Sequence, residues 1–398
     1  MSQIHSRDAV RGMRLSRPPL IERCSADRVD LLVASLDGGG AERVMVDLAN
    51  ALSDAVGQVR LVVIGRASGP YRTEISASVR LIELGSKHVR HSIPQLIQTF
   101  REDPPQGILS TQVHVNIAAI VARQLGCPNA RLVIREGTTP GSIGLRFWNG
   151  VWGRMLRLPY RFADVVVAPS SGIGQCLMTR AFVPRRSLQV IPNPISVKDL
   201  RQRAGLPSDF ELPRGERYIV AMGRLSVEKG FEDLIRAFAI VCRLHEVRLV
   251  VLGEGPERPR LSTLITHLGL SKAVSMPGFL ANPFPILAGA SAFVLSSHRE
   301  GLPNALLQAL ALDVPCIATD CRSGPREIFS AVGAGELVAV GDIYALSNAI
   351  ARALRSKGQA RTSVRIASEF DVSMVASRYR SLLRSNDSSK PCERMPST

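Results

Sequence analysis

Aromatic residues are scarce in this chain, at 5% of 398 positions, and acidic ones are outnumbered, 34 Asp and Glu against 50 Lys and Arg. No apolar run approaches the ~18–20 residues that a membrane-spanning helix needs. The first twenty residues, MSQIHSRDAVRGMRLSRPPL, hold arginines but no continuous apolar core, so they read as a disordered leader (1–28) rather than a secretory signal. Cys24, Cys127, Cys176, Cys242, Cys316, Cys321 and Cys392 form no C-x-x-C pair and no disulfide-like spacing, which fits a reducing cytoplasm. There is no G-x-S-x-G, the seven His are scattered, and no Asp-x-Asp pair offers to hold a divalent metal on a nucleotide. No metal and no cofactor are expected. Low aromatic content and the lack of a recognition motif count against nucleic-acid binding, although the charge of +16 permits it.

What is present is an alternation of strands and helices. Strand-like runs fall at 29–35, 59–65, 79–84, 108–110, 131–135 and 164–168, with helical patterns such as 41–54, 93–101 and 114–125 between them. A second set of strands falls at 218–222, 247–252, 273–276, 292–295, 314–318 and 337–340, with helices near 231–244, 257–268, 304–312 and 342–356. Such alternation signals parallel, doubly wound sheets. The reading is α/β with two Rossmann-like domains facing a central cleft. The first covers 29–195, a proline-punctuated linker 196–216, and the second 217–370. A C-terminal helix is expected at 371–385, able to pack back on the first domain, and a disordered tail at 386–398.

The densest chemistry lies in SSHREGLPNALLQALALDVPCIATDCRSGPREI, 296–328. Two strand ends here open two helices, and free N–H groups at helix N-termini suit phosphate. Glu300 stands before the first of them, where a carboxylate accepts hydrogen bonds from sugar hydroxyls; Pro303 fits the helix's first turn. Ser323-Gly-Pro-Arg-Glu327 is the second junction. There Arg326 is a candidate phosphate partner and Glu327 a candidate for a hydroxyl or for Arg326, with a simple capping arrangement the equal alternative. In MGRLSVEKG (222–230), one loop carries Arg224 and Lys229, two cations suited to a diphosphate. LDGGGAER (36–43) follows a strand and lets the backbone approach a ligand. Arg43 at the third glycine position removes the dinucleotide fingerprint. Gly278 and Phe279 end a strand where a base would pack. His114, alone at a helix start, reads as a core or surface residue.

Residues 145–162, LRFWNGVWGRMLRLPYRF, hold both tryptophans. At 100° per residue Arg146, Arg154, Arg157 and Arg161 share one arc, and Trp148, Trp152 and aliphatic residues share the other. No Asp or Glu occurs from Gly137 through Ala163. A helix of that composition suits an anionic membrane interface.

Together GGGAERV (38–44), GRLSVEKG (223–230), GEGPE (253–257), the Glu300 segment and SGPREI (323–328) resemble the retaining family 4 glycosyltransferases of GT-B fold, densest over 218–341. GGGAERV and the NPFP and EGLPN stretches resemble bacterial members that build lipid-linked oligosaccharides or surface polysaccharides. The resemblance implies a hexosyltransferase on the inner face of the cytoplasmic membrane. It would move a hexose or N-acetylhexosamine from a nucleotide sugar, with UDP the expected nucleotide, to a glycan or polyprenyl-diphosphate-linked acceptor. Arg224 and Lys229 would bind the donor diphosphate and Glu300 the donor sugar. Gly223, Gly278, Phe279 and the Gly301-Leu302-Pro303-Asn304 backbone would line the donor. Gly38, Gly39, Gly40 and Glu136 would lie at the acceptor or a phosphate. The family's second acidic residue, which meets the ribose, is replaced here by Gln308. A nucleotide-sugar epimerase or hydrolase on the same scaffold and a basic nucleic-acid-binding protein are the rival readings.

Overall fold

The computed structural model describes residues 28–137, 158–181, 183–211, 215–355 and 361–384. Arg146, Trp148, Trp152, Arg154 and Arg157 lie outside the described residues, as do the leader to residue 27 and the tail from residue 385.

The first half runs β1 (Arg28–Val33), α1 (Gly40–Ser53), β2 (Gln58–Val63), β3 (Val79–Glu83), α2 (Val89–Glu102), β4 (Gly107–Thr111), α3 (Val113–Gly126), β5 (Arg131–Arg135), β6 (Val165–Ala168), α4 (Ser171–Arg180) and β7 (Leu188–Val190). Runs such as LLV and VVV are buried on successive residues, the pattern of strands covered on both faces. These strands form one parallel sheet, ordered β3-β2-β1-β4-β5-β6-β7.

The second half runs α5 (Val197–Ala204), β8 (Tyr218–Met222), α6 (Phe231–Val241), β9 (Arg248–Leu252), α7 (Arg258–His267), β10 (Val274–Gly278), α8 (Phe284–Ala288), β11 (Ala292–Leu295), α9 (Asn304–Ala311), β12 (Cys316–Thr319), α10 (Pro325–Val332), β13 (Glu336–Val338), α11 (Ile343–Arg355), α12 (Ser363–Phe370) and α13 (Val372–Leu383). Its sheet is also parallel, ordered β10-β9-β8-β11-β12-β13. In each sheet the order reverses beside the first strand of the half, between β1 and β4 and between β8 and β11. The crevice outside those carboxyl ends is where open α/β sheets hold ligands.

Two segments differ from their sequence pattern. The polar stretch after residue 195 contains helix α5 rather than a plain linker. The Ser196 hydroxyl caps it by accepting the Asp199 amide at 3.2 Å, and Leu200 buries into the second-half core. Strand β7 is a three-residue, half-exposed edge that no alternation reveals. The chain then crosses back: Val375, Ala376, Tyr379 and Leu383 of α13 join the core of the first sheet. The two crossings are tied together where Ile195 donates to the Phe370 carbonyl at 2.8 Å and Val372 to the Ile195 carbonyl at 3.1 Å.

Candidate active site

The carboxyl ends of β8 and β11 bring one predicted cation, Lys229, to the predicted acid, Glu300. Beyond β8 the loop turns through a short 3-10 segment at Val227–Lys229, which aims Lys229 back over Gly223. The Lys229 ammonium lies 2.6 Å from a Glu300 oxygen, and the same oxygen accepts the Ser297 hydroxyl at 2.6 Å. The Glu300 side chain is 8% exposed and that of Lys229 24%, so the pair is shielded but reachable. The Ser296 hydroxyl holds the Lys229 carbonyl at 3.0 Å. Arg224 is exposed and makes no ion pair among the described residues, which leaves its guanidinium available to a ligand. Just past Glu300, Leu302 and Pro303 are buried and Pro303 is the N-cap of α9, so the first-turn N–H groups of that helix lack intrahelical partners. Gln308 is half-buried one turn further on.

The glycine loop of the first half faces this group. Gly39 is the N-cap of α1, and the Gly40 carbonyl accepts the Asn304 amide at 3.0 Å. Asn304 in turn accepts from Asn193 at 2.6 Å, and Asn193 also donates to the Leu302 carbonyl at 3.0 Å. Arg135, at the end of β5, donates to Asn193 at 2.5 Å. Gly38 has φ +97°, and a Cβ there would stand 3.0 Å from the edge of the Phe279 ring. The Phe279 side chain therefore lies against the glycine loop of the opposite half, with 46% of its surface exposed. Gly278 ends β10, and its carbonyl accepts the Gly253 amide at 2.8 Å.

Glu136 is buried beyond β5 and accepts the Tyr160 hydroxyl at 2.7 Å. Burial, with the Glu136 charge beside it, pushes that phenol well above its usual range. Around it stand groups that no motif announces. Gln112 caps α3 with φ +73°, a conformation costly for a residue with a side chain, and its amide donates to Glu42 at 2.8 Å. His114 begins the same helix within the field of both Glu42 and Glu136. Its side chain is exposed, and partial desolvation lowers its pKa from 6.5 against the opposing pull of the two carboxylates. The one available signal was position: Gln112 and His114 follow the carboxyl end of β4, next to the switch point.

The second turn-to-helix junction supplies a cap, but to a helix other than its own. Arg326 is exposed and paired with Asp320, and Glu327 holds neither Arg326 nor open space. Its carboxylate meets backbone amides of the first half. Among the described residues no group of three or more His, Cys, Asp or Glu is placed to hold a metal.

Two family models cover most of the chain: Glycosyltransferase Family 4 matches residues 38–199, and Glycosyl transferases group 1 matches 204–369. The uncharacterized glycosyltransferase MJ1059 of Methanocaldococcus jannaschii is 32% identical over 42% of this chain and 43% of its own length, so that match spans less than half of either. The N-acetylgalactosamine-N,N'-diacetylbacillosaminyl-diphospho-undecaprenol 4-alpha-N-acetylgalactosaminyltransferase of Campylobacter jejuni is 30% identical over 79% of this chain and 86% of its own. Among solved structures, Anabaena Alr3699/HepE in complex with UDP superposes with a TM-score of 0.70 at 20% identity, covering 89% of this chain and 99% of that one.

Proposed function

The chain belongs to the family 4 glycosyltransferases, and from that premise we propose that it is a retaining enzyme of lipid-linked or surface polysaccharide assembly. Its donor is a nucleotide diphosphate sugar, with UDP as the nucleotide and a hexose or N-acetylhexosamine as the sugar. Its acceptor is a membrane-associated glycan or a polyprenyl-diphosphate-linked saccharide, met at the inner face of the cytoplasmic membrane. The undecaprenyl substrate named for the Campylobacter relative and the UDP bound by the Anabaena structure support both choices. Contact with the lipid surface is peripheral in this reading; no described helix is long and apolar enough to cross a membrane.

The observation that carries this reading is the Lys229–Glu300 pair, with Glu300 just ahead of the α9 N-terminus and Arg224 exposed on the same loop as Lys229. As the bond between the anomeric carbon and the diphosphate oxygen breaks, negative charge grows on the leaving group. In this reading Lys229, held by Glu300, and the α9 amides meet that charge with little reorganisation, and Arg224 on the same loop as Lys229 adds a second positive charge. Glu300 accepts hydrogen bonds from sugar hydroxyls and orients the ring. The acceptor oxygen then bonds to the anomeric carbon on the face the diphosphate leaves, and its proton passes to the departing phosphate oxygen. Two cations supply the counter-charge, so the scheme calls for no metal and no covalent nucleophile.

Arg224→Ala and Lys229→Ala are each expected to weaken UDP binding about 10–100-fold in calorimetry, the loss of one charge-assisted hydrogen bond, and to cut turnover at least as much. Near-native UDP affinity and turnover in both variants would remove the diphosphate assignment.

A further inference from the structure

Helix α4 belongs to the first half, yet most of its cap comes from the second. Its N-cap hydroxyl, Ser170, accepts the Ile173 amide at 3.3 Å and donates to the Gly301 carbonyl at 3.0 Å. The Ser171 and Gly172 amides donate to the two carboxylate oxygens of Glu327, at 2.7 and 3.0 Å. Helix geometry leaves these first-turn donors without partners of their own, and a carboxylate is the favoured occupant of that end. Glu327 sits in the first turn of α10, after the loop that carries Ser323. The Ser323 hydroxyl donates to the Glu300 carbonyl at 2.7 Å. One short path therefore leads from the amides of α4 through Glu327 and Ser323 to the backbone of the donor-site acid.

The backbones along this path touch. A Cβ on Gly172 would collide with the Cβ of Ser323, and a Cβ on Gly301 would collide with the Gly137 carbonyl. Glycine on each side of the seam is what lets the halves approach this closely.

We propose that Glu327 is a positioning residue for sugar transfer, a latch that caps α4 across the cleft. It forms only when the halves close, and it sets the 323–327 loop, and with it Glu300, against the acceptor half. The proposal rests on the reading of Glu300 as the donor-sugar ligand. The Lys229 and Ser297 contacts of Glu300 lie wholly within the second half. Breaking the latch therefore spares donor binding and removes the alignment of donor with acceptor. A carboxylate that merely capped a helix would change melting temperature and leave turnover of the folded enzyme intact.

The test uses the full chain with two variants. Glu327→Ala removes the carboxylate. Gly172→Ala keeps it but forces Ser323 away, while placing a better helix former in α4. Hydrogen exchange of the Ser171 and Gly172 amides in the ligand-free protein should quicken about tenfold or more in both variants, as a local opening requires. Calorimetry with UDP should give dissociation constants within about twofold of the parent, while kcat for transfer from UDP-N-acetylgalactosamine to an undecaprenyl-diphosphate-linked saccharide falls about 10–100-fold at unchanged donor KM, the cost of a misaligned pair of reactants. Unchanged amide exchange, or an unchanged kcat in Gly172→Ala, overturns the latch. A parent protein that fails to bind UDP overturns the donor reading instead, and the exchange measurement still judges the latch on its own.

Discussion

Gln308 lies one turn into α9, half-buried, and makes no side-chain hydrogen bond among the described residues. The family resemblance places a carboxylate at this position, on the donor ribose. An amide oxygen accepts a weaker hydrogen bond than a carboxylate, so Gln308→Glu should tighten UDP binding by ~1–2 kcal/mol, a ~5–30-fold lower dissociation constant. Equal or weaker binding in calorimetry would show that the ribose is held elsewhere. That Lys229 and Glu300 share one cluster was legible in the sequence because each lies in the loop after a strand, inside a spaced motif. The surroundings of Gln112 and His114 were not, because Glu42 and Glu136 lie on other elements that only the folded sheet brings alongside. Glu327 shows the same limit. Its spacing fits a cap on its own helix, whereas its carboxylate serves a helix 155 residues upstream.

The C-terminal helix α13 is an element of one half built from the end of the other. Tyr379 is fully buried with Val375, Ala376 and Leu383 in the first-half core, where the helix packs on α1, β4 and β5. Tyr379→Ala should cost about 3–5 kcal/mol, the range for emptying a buried aromatic site, read from the shift of the denaturant midpoint. A change within about 0.5 kcal/mol, that of an ordinary surface substitution, would mean that α13 leans on the domain without completing it. The sheets were readable because parallel strands covered on both faces leave unbroken apolar runs. Short elements escaped for the opposite reason. Strand β7 buries too little to leave a pattern, and α5 hides in a polar stretch whose single deep anchor is Leu200.

A molecule with a net charge of +16, whose proposed acceptor is lipid-linked, has two independent ways to reach an anionic bilayer. Basic side chains near the surface contribute roughly 1 kcal/mol each and lose that contribution within a Debye length. Inserted tryptophans add an apolar contribution that salt does not screen. The described end of the 145–162 segment fits the second route: Phe162 is 56% exposed beside the exposed Arg161, while Tyr160 turns into the core. If charge alone held the protein, raising ionic strength would release it completely and the tryptophans would be dispensable. With both at work, the parent chain should pellet with phosphatidylglycerol vesicles at low salt and in part at high salt, whereas Trp148→Ser with Trp152→Ser should keep only the salt-sensitive fraction. Co-sedimentation of that double variant indistinguishable from the parent at every salt concentration would remove the segment from the membrane and leave the charge as the sole attraction.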